Sequence, residues 1–177
     1  HNQSRRQRQM CIRDSEWSCR GELRRQTPGG LLLSVGLNDT ARVGRIDGRP
    51  QLDVEAFSFG LGQLLKEMTQ EVEVFVLGLT AVDEHVMPFA GCLWYSNSQI
   101  AATEAVMAEQ CREADVPFLP MHQEMQEEPD WLTWMEPDGI HLNADGHRWL
   151  DQRLDQWAPL REWAGLAPHN TSTPISM

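Results

Sequence analysis

The sequence predicts an open, doubly wound α/β fold built on a parallel sheet. Short apolar runs bounded by turn residues recur at Leu31–Val35, Val72–Leu79 and Val116–Met121, as buried strands do. Stretches with helical spacing of apolar residues lie between and after them, the alternation that βαβ units produce. At 177 residues, 41% hydrophobic and with a net charge of −11, the chain suits one acidic, soluble domain.

Taken in order, Glu16 to Gln26 fits the end of a helix, which Thr27-Pro28-Gly29-Gly30 would stop. The Leu31–Val35 strand follows, then a loop from Thr40 to Pro50 carrying Gly44 and Gly48. Asp53 is placed to cap a helix reaching about Thr69, with Phe57, Leu61, Leu64, Leu65 and Met68 on one face. After the Val72–Leu79 strand, Thr80 to Tyr95 is expected as a long loop. Ser96 or Asn97 opens a helix to about Asp115, its face spanned by Ile100, Thr103, Val106, Met107, Gln110 and Cys111. Pro117 and Pro120 assign the third strand an edge position or a short length. A loop with Trp131 and Trp134 precedes a last helix, capped by Asn143 and carrying Trp149, Leu150, Leu154 and Trp157.

The ends differ from the middle. Residues 1–30 hold seven arginines against three acids, whereas residues 31–177 hold eight basic residues against 23 acidic ones. The string from Arg6 to Ser15 has no periodicity and looks like translated sequencing adapter; a basic arm for an acidic partner is the alternative. We therefore expect a non-native head at 1–15, one domain at 16–165 and a disordered tail at 166–177. The native start, any leader and the first strand of the sheet are then expected to be missing. Compartment and oligomeric state stay unread, with the cytoplasm as the default.

Composition narrows function. No apolar run reaches the roughly 18 residues of a membrane span, and the acidic balance disfavours nucleic acid and anionic lipid. Cys11, Cys19, Cys92 and Cys111 form no Cys-x-x-Cys pair, and neither a Gly-x-Gly-x-x-Gly nor a P-loop occurs. Cys92 and Cys111 fit small buried residues. Asp83-Glu84-His85 lacks metal-ligand spacing and suits a surface or substrate-lining role.

Two polar constellations sit where open α/β sheets place ligands, beyond the ends of strands. Gly36-Leu37-Asn38-Asp39-Thr40 follows the first strand directly. A carboxamide there aims an N–H into the crevice, as oxyanion stabilisation needs, although Asn-Asp alone also fits an ordinary turn. Asp138-Gly139-Ile140-His141 precedes the last helix. An acid three residues before a histidine can hold its Nδ1–H and leave Nε2 as a general base; alone, the same pattern also fits a loop cap beside a surface histidine.

Together, Gly36-Leu37-Asn38-Asp39 and Asp138-Gly139-Ile140-His141 resemble the Gly-x-Asn-Asp and Asp-x-x-His blocks of the SGNH hydrolases, the GDSL-type lipases and esterases. The likeness spans about residues 16–165 and includes the helix start Asn143-Ala144-Asp145-Gly146-His147. It implies a flavodoxin-like, three-layer α/β/α sandwich and hydrolysis of a small-molecule ester without metal or cofactor. By that resemblance His141 is the base, Asp138 its orienter, Asn38 an oxyanion donor and Gly36 a turn residue. Trp131 and Trp134 are candidate walls of the substrate pocket. Trp94, within Leu93-Trp94-Tyr95, and Met87-Pro88-Phe89 are candidates from the other side.

The family's nucleophile lies in Gly-Asp-Ser, and no such triplet occurs in this chain. Asp14-Ser15 lacks the glycine and a preceding apolar strand and sits too close to Asn38, so Ser15 is read as a decoy. The chain is accordingly expected to be a fragment with little or no esterase activity. The alternative is a non-catalytic α/β binding module that lost the nucleophile; a flavodoxin-like cofactor or phosphate binder is a more distant third.

Overall fold

A computed structural model of the chain describes Arg25 and residues 28–167. The adapter-like head, Ser15, nearly all of the Glu16–Gln26 segment and the tail from Pro168 lie outside the described residues. The main sheet holds β1 (Gly30–Leu33), β3 (Glu73–Leu77) and β5 (Phe118–Leu119), all parallel in the order β1-β3-β5. Leu31 faces Val74 and Leu33 faces Val76, while Val76 and Leu77 pair with Phe118 and Leu119. The third strand is short and lies at an edge of this sheet, as its prolines require.

Alternation along β3 decides the layering, because successive side chains point to opposite faces. Val74 and Val76 join Leu33 in one apolar cluster with α1 (Val54–Met68) and α2 (Asn97–Glu113). Phe75 and Leu77 point the other way, into a cluster built with α3 (His122–Glu127), α4 (Ala144–Gln156) and Trp157. Helices thus flank the parallel sheet on both faces. The short helix α5 (Ala158–Trp163) brings Trp163 edge-on to Phe75 at 5.7 Å, beside Trp157 at the same distance.

Capping chemistry sets the helix starts. Asp53 accepts from the Ala56 N–H at 2.7 Å, Ser96 from Gln99, and Asn143 from both Asp145 and Gly146. On α2 the buried positions are Ile100, Thr103, Glu104, Met107 and Cys111. Val106 and Gln110 are only half-buried, whereas Glu104, not expected on that face, is buried. The strands are also shorter than their apolar runs, spanning only Gly30–Leu33, Glu73–Leu77 and Phe118–Leu119.

Two expected loops contain structure. Arg42–Val43 (β2), inside the Thr40–Pro50 loop, pairs antiparallel with Leu93–Trp94 (β4) from the Thr80–Tyr95 loop. A second bridge, Phe89 to Leu93, folds the latter loop back on itself. Among the described residues, no helix is long and apolar enough to cross a membrane.

Candidate active site

The site is assembled at the ends of the strands. After β1 the chain turns at Gly36, whose φ of 111° is left-handed, into a single 3-10 turn, Leu37–Thr40. A Cβ at Gly36 would also press on the Phe57 ring of α1 at 2.9 Å. This turn holds Asn38 half-buried, and the hydroxyl of Tyr95 donates to Asn38 Oδ1 at 3.2 Å. Tyr95 is only 4% exposed. Burial, with Asp39 and Cys92 nearby, pushes its phenol up to about 12, so it stays a neutral donor.

The second constellation is a closed turn between the Met135 and Leu142 backbones, which pair antiparallel. Within it Asp138 Oδ1 accepts the N–H groups of Ile140 and His141 at 2.9 and 3.0 Å. That fixes the carboxylate plane and aims Oδ2 at His141 Nδ1, 2.6 Å away. Burial alone would raise the Asp138 carboxyl. The His141 ring and the two backbone donors outweigh it and hold the group below the usual carboxylate range. The imidazole is mostly exposed.

Gly139 makes the turn possible. Its φ is 73°, and a Cβ there would overlap Val86 Cγ2 and crowd the Asp83 carbonyl at 3.0 Å. The Asp83 N–H donates to the Gly139 carbonyl at 2.9 Å, so the 83–86 turn supports the Asp138–His141 turn. Asp83 and Glu84 are otherwise engaged separately: Asp83 Oδ1 holds His85, and Glu84 Oε1 accepts the Asn97 N–H at 2.5 Å. Among the described residues no group of three or more His, Cys, Asp or Glu is arranged to hold a metal ion.

Two aromatic rings join the halves. Phe89 lies edge-on to Tyr95 at 6.4 Å and to His141 at 6.0 Å. Asn38, Tyr95, Phe89 and His141 therefore form one contiguous row across the sheet end, which brings together the two blocks that the sequence separates by about a hundred residues. The tryptophans lie around it. Trp94 is half-buried on β4 opposite Arg42. Trp131 and Trp134 pack on the second core cluster, and Trp134 stacks on Trp149 at 5.5 Å. Asn143 ties their turn to the dyad by donating to the Thr133 and Met135 carbonyls.

Sequence reasoning placed Tyr95 and Phe89 only as pocket walls and passed over Glu104. The Glu104 carboxylate, 8% exposed, accepts N–H groups of Leu79, Met121 and His122 at 2.8, 2.9 and 3.0 Å. It gathers the chain where β3 and β5 leave the sheet. His122 is buried beside it, and its Nε2 lies 3.1 Å from Asn97 Oδ1. Burial lowers the His122 imidazole, with Glu104 and Glu84 acting the other way, so it sits neutral in this network.

Residues 9–149 match the model of the GDSL-like lipase/acylhydrolase family. The chain belongs to that family. Its fold is shared with a lipase/acylhydrolase from Enterococcus faecalis, at 18% identity and a TM-score of 0.70 over 91% of this chain and 74% of that one. A psychrotrophic esterase, EstA from Pseudoalteromonas sp., is similar at 12% identity and a TM-score of 0.60, covering 88% and 73% of the two chains. An acetyl xylan esterase gives 14% and 0.58 over 81% and 74%. No curated protein sequence matches at significance. The family is one of ester hydrolases, so an ester is the class of substrate that membership implies.

Proposed function

We propose that Asp138, His141 and Asn38 are the orienter, general base and oxyanion donor of a serine-dependent ester hydrolase. The observation that carries this reading is the Asp138–His141 pair: one carboxylate, fixed by two backbone N–H groups, holds Nδ1 at 2.6 Å. The tautomer with Nδ1–H is thereby set, and Nε2 is left as the proton acceptor.

In the first half-reaction His141 Nε2 takes the proton of an attacking serine hydroxyl while its oxygen bonds to the ester carbonyl carbon. The carbonyl oxygen becomes an oxyanion, which the Asn38 Nδ2–H stabilises. Collapse breaks the bond to the alcohol, and His141 returns the proton to that leaving oxygen. Water repeats the sequence on the acyl-serine and releases the acid. Asp138 stays ionised throughout and stabilises the imidazolium.

The serine itself lies, in this reading, outside residues 28–167. Gly-Asp-Ser occurs nowhere in the chain. Among the described residues no serine hydroxyl is hydrogen-bonded to the His141 ring; Ser96, for one, is spent capping α2. The 177-residue chain is accordingly proposed to hydrolyse esters little or not at all. Trp94, Trp131 and Trp134 are proposed as pocket walls, with the stacked face of Trp134 already occupied by Trp149.

A fluorophosphonate, which esterifies activated serines, tests the assignment by mass spectrometry. We expect the polypeptide encoded at the native locus to gain one serine adduct that His141→Ala prevents, and the 177-residue chain to gain none. Labelling that survives His141→Ala would sink the reading.

A further inference from the structure

We propose that Tyr95 is a positioning residue for Asn38: its hydroxyl occupies the carbonyl end of the carboxamide and so turns the N–H end toward the reacting ester. This rests on Asn38 being the oxyanion donor. An asparagine side chain has two ends of nearly equal size, and only one can donate. Left alone in a half-buried turn, it would sample both orientations, and half of them would aim a carbonyl oxygen at a developing negative charge. The Tyr95 Oη–H donates to Oδ1 at 3.2 Å, which favours the orientation that keeps the carbonyl end on Tyr95.

The tyrosine is well fixed for this purpose. It is 4% exposed, follows directly on β4, and rests against the edge of Phe89. Phe89 and Leu93 exchange backbone hydrogen bonds of 2.8 and 2.9 Å, which closes the turn that presents both rings. Phe89 also touches His141, so the residue that steadies Tyr95 is the one that flanks the base. The partners stand 57 residues apart; β2, just after the Asn38 turn, pairs with β4, just before Tyr95.

Asparagine-selective labelling with ¹³C and ¹⁵N, in the 177-residue chain, reads the orientation directly without any ester turnover. Asn38→Ala identifies the Asn38 side-chain resonances. In Tyr95→Phe, which removes only the hydroxyl, those resonances are expected to move while the Asn97 and Asn143 carboxamides stay in place as a check on the fold. Unmoved Asn38 resonances in a folded Tyr95→Phe protein overturn the proposal. A measurement on the unsubstituted chain covers the case in which that variant fails to fold. The chain has one tyrosine, so its labelled Cζ resonance in mixed H₂O and D₂O is unambiguous. A split line, from slow exchange of a bonded hydroxyl, is expected, and a single averaged line overturns the proposal.

Kinetics on the native-locus polypeptide separate the two readings. Tyr95→Phe is expected to lower kcat about tenfold with KM unchanged, the worth of one hydrogen bond. If Asn38→Ala lowers kcat but Tyr95→Phe moves neither kcat nor the Asn38 resonances, this inference fails and the function stands. If Asn38→Ala leaves kcat unchanged while the resonances still move, Tyr95 orients the amide and the donor assignment fails.

Discussion

Replacing Glu104 by alanine tests how the strand ends are held. One oxygen, Oε1, accepts the N–H groups of Leu79, Met121 and His122, and Oε2 lies 3.3 Å from the His122 nitrogen. Alanine leaves three buried donors without an acceptor, at about 1–3 kcal/mol each. Water entering the vacated space recovers part of that, so Glu104→Ala is expected to cost about 3–5 kcal/mol. Typical domains have only about 5–15 kcal/mol in total. Glu104→Gln keeps one acceptor oxygen but loses the charge, and should cost about 1–2 kcal/mol. Urea unfolding followed by tryptophan fluorescence reads both: the alanine variant should lower the midpoint by about 2 M at an unchanged slope. Gly78 supplies an internal control, because a Cβ there would overlap Oε1 and lie 2.9 Å from the Met121 nitrogen. Gly78→Ala and Glu104→Ala should therefore be strongly non-additive. A Glu104→Ala cost below about 1 kcal/mol, the range of a surface substitution, would refute the reasoning.

Three further outcomes are expected. Tyr95, raised to about 12 from 10, contributes stability that is complete below pH 10 and lost as pH rises toward 12, about 3 kcal/mol in all. Absorbance of the sole tyrosine should show little phenolate at about pH 11 while the chain stays folded, and Tyr95→Phe should abolish this alkaline dependence. Asp138, held below its ordinary range, contributes stability that is present above the unfolded carboxyl value and lost as pH falls through the lowered one. Its Cγ resonance should accordingly titrate at more acid pH than an exposed aspartate, and a shift the other way would contradict the pairing with His141. Gly139→Ala forces a left-handed φ on a residue with a Cβ and drives it into Val86 and Asp83. We expect a cost of about 1–3 kcal/mol and loss of the Asp138–His141 hydrogen bond in the imidazole ¹⁵N spectrum.

Local signals carried most of what the sequence revealed. Asp53, Ser96 and Asn143 announce their helices because a capping side chain acts within three residues. Asp138 and His141 are legible for the same reason, since the whole dyad closes inside one turn. The two-residue strands β2 and β4 are too short to show any alternation. Helix α3 has Met121 at its N-cap, which offers no side-chain hydrogen bond, so nothing marks its start. Glu104 could have been found: it lies four residues after Ile100 and three before Met107, a charge on a buried stripe. The Asn38–Tyr95 bond spans 57 residues, and no local pattern encodes it.

Ester turnover by the polypeptide encoded at the native locus tests the central assignment most directly, with p-nitrophenyl acetate as substrate and His141→Ala and Asn38→Ala as variants. The account predicts that His141→Ala abolishes serine-dependent turnover and that Asn38→Ala lowers kcat by about 10²–10³. Turnover left unchanged by both substitutions would contradict it.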